Sequence, residues 1–324
     1  MKDFEEASQI IRDFLSYMET IRGKSRNTTK EYFFDLRTFF RFMKKHKQKI
    51  AQDVPYEEIT IGDIDVDLLQ SITLSDLYEY LTYVNRERGN SANARARKVA
   101  SIKSFFNYLT VKARLVDINP AKELESPKVQ KSLPAYLSLE ESKQLLQAVN
   151  GEFKERDYAI LTLFLNCGLR LSELVSINLN KIKNDTLTVT GKGNKQRTIY
   201  LNNACIAAIE AYRQVRPNDR VKDKNALFLS KRKQRISVKT VQYIVKKYIG
   251  QAGLDKEKYS AHKLRHTAAT LMYKHGNVDI RALQEILGHE QLSTTEIYTH
   301  VDNQHLRNAV NQNPLANIDK KEEE

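Results

Sequence analysis

Five groups of residues in the second half of the sequence carry side chains suited to phosphate chemistry. They are Arg170 behind a helix-ending glycine, Lys192 and Lys195 on a glycine-rich turn, the run His262-Lys-Leu-Arg265-His266, His289 after Gly288, and Tyr298. In a helix, residues three and four apart are neighbours, so the two histidines and the arginine of the run share one face. Such a cluster of cationic donors is suited to an anionic phosphate.

Two other kinds of site are excluded by spacing. His262 and His266 are spaced like metal ligands, but Lys-Leu-Arg lies between them where a zinc protease has a glutamate. A nucleotide-binding loop is excluded as well, because Thr186 occupies the position of its first glycine and Gly193 follows Lys192 where a Ser or Thr belongs. We therefore expect no metal, no ATP and no other cofactor.

A metal-free site of this composition could cut a DNA phosphodiester. The reaction needs neutralised phosphate oxygens, a nucleophile and a proton for the leaving 5′ oxygen. Arg170 and Arg265 can each bind two oxygens, because a guanidinium is a planar fork. A tyrosine hydroxyl has a pKa of about 10. Tyr298 could therefore attack if cations lower that pKa, or if His262 or His289 accepts its proton.

Lys192 could reach a DNA groove from its turn and protonate the leaving oxygen. Each residue also has an ordinary structural interpretation. Arg170 could form a surface ion pair, and Lys192 could be solvated in its turn. His289 could cap a helix, and Tyr298 could be one of 16 tyrosines packed in a core. The joint arrangement favours the catalytic interpretation.

The composition also points to a polyanion. The 324 residues carry 53 Lys and Arg against 40 Asp and Glu, a net charge of +13, which favours nucleic acid or an acidic membrane surface. No apolar run reaches the ~20 residues of a membrane span, and the first residues lack a signal-peptide pattern. We expect a soluble, cytoplasmic protein with no membrane partner. Cys167 and Cys205 lie in apolar stretches and are predicted to be core residues.

Hydrophobic periodicity predicts two domains. Four amphipathic helices, at 6–22, 28–45, after Ser75 and from about Ser91 to Leu109, indicate an all-α first domain. Three prolines and the loss of period indicate a linker. The expected boundaries are an all-α N-terminal domain at 1–118, a linker at 119–136, a second domain with the candidate catalytic residues at 137–302, and a C-terminal segment and tail at 303–324.

The second domain is predicted to be mainly helical with a small antiparallel β-sheet. Leu187 and Val189 alternate with polar residues before the turn at 191–195, and Ile199 and Leu201 follow it, as in a hairpin. Helices are expected on both sides of this hairpin. Ser293-Thr-Thr-Glu296 has the pattern of a capping box for a short helix that carries Tyr298.

These residues resemble the tyrosine recombinases of the lambda-integrase family, most closely the Xer-type members. The matching strings are Cys-Gly-Leu-Arg170-Leu-Ser-Glu-Leu, Gly-Lys192-Gly-Asn-Lys-Gln-Arg, His262-Lys-Leu-Arg265-His266, and Ile-Leu-Gly-His289 through Tyr298-Thr-His-Val. The stretch from Ser25, with Asp35-Leu36, and the Asn119-Pro120 hinge resemble the family's N-terminal core-binding, SAM-like domain and its linker. The four motifs stand in the family's order, and together with the N-terminal stretch and the hinge the match runs over most of the chain.

The resemblance implies a role for each residue of the site. Tyr298 would form a 3′-phosphotyrosine, and Arg170 and Arg265 would bind the scissile phosphate. His262 and His289 would complete the site, and Lys192 would be the general acid. His266 would be a supporting residue. Contacts to DNA are expected from Lys195 and Arg197 and, in the fourth helix, from Arg95, Arg97, Lys98 and Lys103.

The resemblance also implies an assembly. The two domains would form a C-shaped clamp on double-stranded DNA carrying a specific site. Four subunits, of this chain alone or with a second related recombinase, would hold two sites. Residues 303–318, with Leu306, Val310, Leu315 and Ile318, could dock on a neighbouring subunit, and a frayed tail is the alternative. Chromosome-dimer resolution, inversion and integration or excision all stay open as cellular roles.

One segment departs from the Xer pattern. Residues 50–74 are longer and more acidic than expected between the second and third helices. They could contact a neighbouring subunit, although a solvated loop is the favoured interpretation. Two other functions also stay open: a type IB topoisomerase-like activity, and a catalytically silent DNA-binding regulator. An RNA-binding role is disfavoured, because the aromatic motifs of sheet-based RNA readers are missing.

Overall fold

The structure is a computed structural model. It describes residues 4–51, 53–129, 135–191, 195–276, 278–289, 291–295 and 298. The chain divides into two compact units, Met1–Lys131 (unit 1) and Ser132–Glu324 (unit 2).

Unit 1 is helical. Its helices are α1 (Gln9–Thr20), α2 (Arg26–His46), α3 (Val66–Ser71), α4 (Leu74–Arg86) and α5 (Ala92–Asn107), the last continued by a π-helical turn, Tyr108–Ala113. Each of the five begins where a Ser, Thr or Asp side chain accepts a backbone N–H of the first turn. The core is rich in edge-on aromatic pairs such as Phe14–Phe105 and Phe40–Phe105. Ala121 and Leu124 also pack in this core.

The acidic segment 50–74 packs on α2. The Arg41 side chain, 8% exposed, donates to the carbonyl of the buried Ile59 at 3.0 Å and to Glu57 at 2.6 Å. Lys44, 7% exposed, pairs with Asp63 at 2.8 Å. The expectation of a solvated loop is therefore wrong, because buried cations and an isoleucine attach the segment to the core. The carboxylates of the segment face solvent.

Unit 2 consists of helices around a small sheet. The helices are α6 (Leu139–Gln147), α7 (Lys154–Cys167), α8 (Leu171–Ser176), α9 (Asn203–Val215), α10 (Val238–Gln251), α11 (Ala261–His275) and α12 (Ile280–Leu287), and a 3₁₀ turn spans Leu292–Thr294. The strands are β1 (Ile182–Lys183), β2 (Thr186–Thr190) and β3 (Gln196–Tyr200), all antiparallel in the order β1-β2-β3. The predicted fold class is confirmed for both units.

Helix α7 is the centre of unit 2. Its residues 159–165 are buried on every face, as expected for a helix segment enclosed by other elements, and the helix packs against α9 and α11. Cys167 at its end lies 3.6 Å from Cys205 of α9, sulfur to sulfur, and both are buried free thiols. None of the described helices combines the length and apolar character that a bilayer crossing requires.

Candidate active site

A left-handed glycine ends α7 and brings Arg170 into the site. Gly168 has φ +56°, and its N–H donates to the Phe164 carbonyl. A Cβ at this position would lie 2.8 Å from a methyl group of Leu287. The turn therefore requires glycine for its backbone angle and for space. Two residues later, Arg170 is the N-cap of α8.

Glu173 fixes two arginines. Its fully buried carboxylate accepts from Arg170 Nη1 at 2.8 Å and from Arg197 Nη1 and Nη2 at 2.5 and 3.0 Å. It also accepts the Arg170 backbone N–H at 2.8 Å. Burial alone would raise the pKa of Glu173, but the hydrogen bonds from Arg197 and Arg170 outweigh it and lower the pKa. The ionised carboxylate therefore holds both guanidinium planes in place.

The backbone carbonyls at the C-terminal end of α12 accept hydrogen bonds from three arginines. Ile286 O accepts from Arg197 Nε at 3.2 Å, Leu287 O from Arg265 Nη2 at 2.7 Å, and Gly288 O from Arg170 Nη2 at 2.7 Å. A helix end leaves such carbonyls without intrahelical partners and carries partial negative charge, so cations are favourable there. Side chains from three different elements thus converge on one helix end.

Arg265 is the most enclosed of these cations. It is 3% exposed, and its Nη1 donates to Gly168 O at 2.6 Å. Burial, and next the charge of Arg170, lower its pKa to about 10. The guanidinium is still charged at neutral pH, and it keeps this charge in a site where positive groups outnumber negative ones.

Tyr298 is buried beside this arginine site. Its side chain, 1% exposed, packs with Ala269, Leu283 and Leu287. Its hydroxyl lies 2.7 Å from Nδ1 of His266. Burial raises the pKa of Tyr298 to about 12, with a smaller opposing effect of Arg265. The side chain is therefore a neutral phenol at neutral pH and needs a proton acceptor to become a nucleophile.

Three histidines lie around the tyrosine and the arginines. His262 and His266 are one turn apart on α11, with their Nε2 atoms 3.1 Å apart. Burial, followed by the charge of His262, lowers the pKa of His266 to about 4. His289 follows α12, and its Nδ1 lies 2.9 Å from Thr295 Oγ1. Burial, then Arg265, lowers its pKa to about 4. His266 and His289 are therefore neutral at physiological pH.

Two clefts meet at Arg170 and His289. One, of about 560 Å³, is also lined by Lys195 and Arg197. The other, of about 630 Å³, is also lined by His262, Arg265, Lys246, Lys256 and Tyr259, among others. Basic residues thus continue from the arginines along two directions, as a site for a polyanionic chain requires.

The structure brings together most of the predicted catalytic set. Arg170, His262, Arg265, His289 and Tyr298 belong to one site, and their individual roles stay predictions. Lys192 lies outside the described residues, as do Glu296 of the predicted capping box and the docking segment 303–318.

The predicted DNA contacts of α5 already have partners within unit 1. Lys98, 9% exposed, pairs with the buried Asp35 at 3.0 Å, and Arg97 pairs with the same carboxylate at 2.8 Å. Arg95 donates to the Asn90 carbonyl at 2.8 Å. Lys103 donates to two carbonyls, those of Lys122 and Leu124. Lys98 therefore has a structural partner in the buried Asp35, and the DNA contacts of all four residues stay predictions.

Arg197 also has an internal role. Its side chain is 14% exposed and bound to Glu173 and Ile286. Arg197 also lines the first cleft together with the exposed Lys195, so a contact of either residue with the DNA backbone stays a prediction.

Two residues of the candidate site make contacts that the sequence pattern did not predict. Glu173 stands three residues after Arg170, a spacing typical of an ion pair on the first turn of a helix, and this signal could have identified it. His266 was interpreted as a supporting residue, whereas it is the described residue that hydrogen-bonds the Tyr298 hydroxyl.

Comparison with known proteins gives a consistent set of relatives. Residues 135–305 match the model of the phage integrase family. The chain is 63% identical to the tyrosine recombinase XerC of Caldanaerobacter subterraneus subsp. tengcongensis over 307 residues, 95% of this chain and 87% of that protein. It is 36% identical to the tyrosine recombinase XerC of Thermodesulfovibrio yellowstonii over 306 residues, 91% of this chain and 93% of that protein.

Two solved structures are similar to the structure of this chain. XerA recombinase is 29% identical with a TM-score of 0.50, covering 94% of this chain and 97% of that chain. The XerH site-specific recombinase, bound to a palindromic difH substrate in a post-cleavage complex, has a TM-score of 0.67 with 94% of each chain covered. At 22% identity, the second likeness shows the fold alone.

Proposed function

The chain belongs to the phage integrase family and is a site-specific tyrosine recombinase, and we propose that Tyr298 is its nucleophile. The observation that carries this assignment is the arrangement on α11. This one helix presents Arg265 to the site and holds the Tyr298 hydroxyl through His266. A phosphate bound by Arg265 would therefore lie close to the tyrosine.

In the proposed reaction, the Tyr298 oxygen attacks phosphorus while the bond from phosphorus to the 5′ oxygen breaks. Arg170 and Arg265 offset the charge that grows on the non-bridging oxygens. Lys192 supplies the proton of the 5′-hydroxyl, and His262 and His289 complete the phosphate site. The 3′-phosphotyrosine keeps the energy of the broken bond, so that a 5′-hydroxyl from a second strand can reverse the step and exchange strands.

We extend the proposal to the partners. XerH is described on difH DNA, and lambda integrase as a tetramer bound to a Holliday junction. By analogy, this chain binds duplex DNA in the cytoplasm. It assembles there into a tetramer, with copies of itself or with a second related recombinase. The basic clefts at Arg170 and His289 support this substrate.

Trapping on a suicide substrate tests the nucleophile. Wild-type protein and nicked duplexes carrying candidate sites should give a covalent protein–DNA adduct on denaturing gels. Tyr298→Phe should give none, while Tyr158→Phe on α7, 41% exposed, should match wild type. An adduct formed by Tyr298→Phe would refute the assignment. Relaxation of plasmids without any specific site, and without recombinants, would instead favour topoisomerase-like activity, and binding without cleavage would favour a silent regulator.

A further inference from the structure

Tyr298 and three imidazoles lie close together, but their hydrogen bonds differ. Among the residues that the structure describes, His266 makes the bond to the Tyr298 hydroxyl, at 2.7 Å. His289 bonds Thr295 through Nδ1, and His262 bonds His266 through Nε2. The proton of the tyrosine therefore has its shortest path to His266.

We propose that His266 accepts the proton of Tyr298 during attack, with His262 behind it as the second member of a proton relay. The inference rests on the proposed role of Tyr298 as nucleophile. It differs from the sequence prediction, in which His262 or His289 takes this proton.

The hydrogen bonds fix the protonation pattern that the relay needs. When the Tyr298 hydroxyl donates to Nδ1 of His266, the ring proton of His266 is on Nε2, which then donates to Nε2 of His262. His262 in turn carries its proton on Nδ1. As the bond from the Tyr298 oxygen to phosphorus forms, its proton moves to Nδ1 of His266. The bond from phosphorus to the 5′ oxygen breaks, and Lys192 protonates that oxygen. Rejoining returns the proton from His266 to the tyrosine.

The surroundings keep His266 ready to accept. It faces His262, Lys263 and Arg265 of α11 and also His289, and burial together with these groups lowers its pKa to about 4. It is therefore unprotonated at neutral pH. A bound phosphodiester brings negative charge against the same cations, which raises the basicity of the imidazole when it is needed.

The matched variants are His266→Asn and His266→Ala, with His275→Asn as the control. Asparagine can place an oxygen near the position of Nδ1 and keep a hydrogen bond, but it cannot take the proton. His275 is exposed at the end of the same helix. We expect single-turnover adduct formation by His266→Asn to fall by about 10²-fold or more at saturating DNA, with DNA affinity unchanged. The control should react like wild type.

The pH profile gives a second readout. Between pH 6 and 9 the wild-type rate should stay nearly flat, because His266 is already a free base. The His266→Asn rate should rise about tenfold per pH unit, because it follows the tyrosinate population. A variant within about threefold of wild type, or one with an unchanged profile, would overturn the relay.

Fluorinated tyrosine at position 298 separates proton acceptance from packing. Its more acidic hydroxyl has less need of a base, so it should reduce the defect of His266→Asn at least tenfold. An equal defect with either tyrosine would assign His266 a packing role and reject the inference. Failure of the proposed function looks different: wild type would form no adduct, or Tyr298→Phe would form one.

Discussion

Asp35 in unit 1 and Glu173 in unit 2 are both buried carboxylates that bind two basic side chains, yet the charge around them differs. Asp35 binds Lys98 and Arg97, and Arg97 also meets a second carboxylate, Glu31, at 2.7 Å. In the described part of unit 2, Arg170 and Arg197 share Glu173, while Arg265 is held by neutral carbonyls.

The difference separates charge used for folding from charge kept for a substrate. Around Asp35, two cations meet two carboxylates, and the cluster is close to neutral. Around Glu173, three guanidinium groups meet one carboxylate. Burial lowers the pKa values of Arg265 and His289, and the positive charge of the neighbouring arginines lowers them further. Carbonyls hold the arginines in place without cancelling their charge, which leaves that charge for a phosphate.

Replacing Asp35 or Glu173 should destabilise the unit that contains it, and we expect this change in stability to be larger than those of the variants that follow. Asp35→Asn leaves the buried Lys98 without its counter-charge, and Glu173→Gln removes the carboxylate that Arg170 and Arg197 share, so we expect each to lower the free energy of unfolding by about 3–5 kcal/mol. Hydrogen exchange, followed separately in peptides of each unit, measures this loss. Only Glu173→Gln should also slow adduct formation in folded protein. An equal slowing by Asp35→Asn would remove the distinction between the two clusters.

The two half-exposed arginines should differ in catalysis. Arg170 and Arg97 have side chains 33% and 40% exposed, and each is bound to a buried carboxylate. Arg170→Ala should lower single-turnover cleavage about 10²–10³-fold, as expected when a transition-state donor is removed. Arg97→Ala should at most weaken DNA binding, with the rate at saturating DNA unchanged. Similar rate losses in both variants would contradict the comparison.

Two left-handed glycines test how tightly each unit is packed. Gly89 in unit 1 has φ +58° and open space at its Cβ position, whereas Gly168 has φ +56° and Leu287 at 2.8 Å. Gly89→Ala should cost about 1–2 kcal/mol for the backbone angle. Gly168→Ala should cost about 1–3 kcal/mol more, because it also overpacks, and it should slow cleavage by moving Arg170. Chemical denaturation measures both, and equal costs would show that Leu287 can move away.

Acid should weaken unit 2 before unit 1. His266 and His289 have folded pKa values of about 4, against about 6.5 for an unfolded histidine. The unfolded chain binds more protons between these values, so the free energy of unfolding falls as the pH drops from about 6.5 towards 4.

In unit 1, burial alone would raise the pKa of Asp76, but hydrogen bonds from Lys47 and Thr73 lower it from a usual 3.8 to about 2. The contribution of Asp76 to the free energy of unfolding is therefore lost only below about pH 4. Solvent screening limits each histidine effect to about 1 kcal/mol. Hydrogen exchange at pH 7 and pH 5 measures it, and equal loss in both units would contradict it.

Local motifs made much of the site predictable. Arg170 follows a glycine that ends a helix, and His262 and Arg265 share a turn, so short spacing alone places these side chains. The contacts between Arg197 and Glu173, and between Tyr298 and His266, join positions 24 and 32 residues apart. No periodicity encodes such pairs, because they depend on how separate helices and strands pack.

The prediction of a solvated loop at residues 50–74 was wrong for a related reason. Its carboxylates suggested solvent, and they are indeed exposed, as for Glu57 at 73%. Ile59, Ile61 and Ile64 lie among these exposed residues and are themselves buried. Charge therefore describes the outer face of the segment, while its apolar residues determine where it packs.

The end of α12 also limits how the length of this chain can change. One residue inserted within α12 would advance its end by about 1.5 Å and rotate it by about 100°. The carbonyls of Ile286, Leu287 and Gly288 would then leave all three guanidinium groups at once. Insertions and deletions during evolution should therefore be rare in this helix, however freely its outward-facing side chains are exchanged.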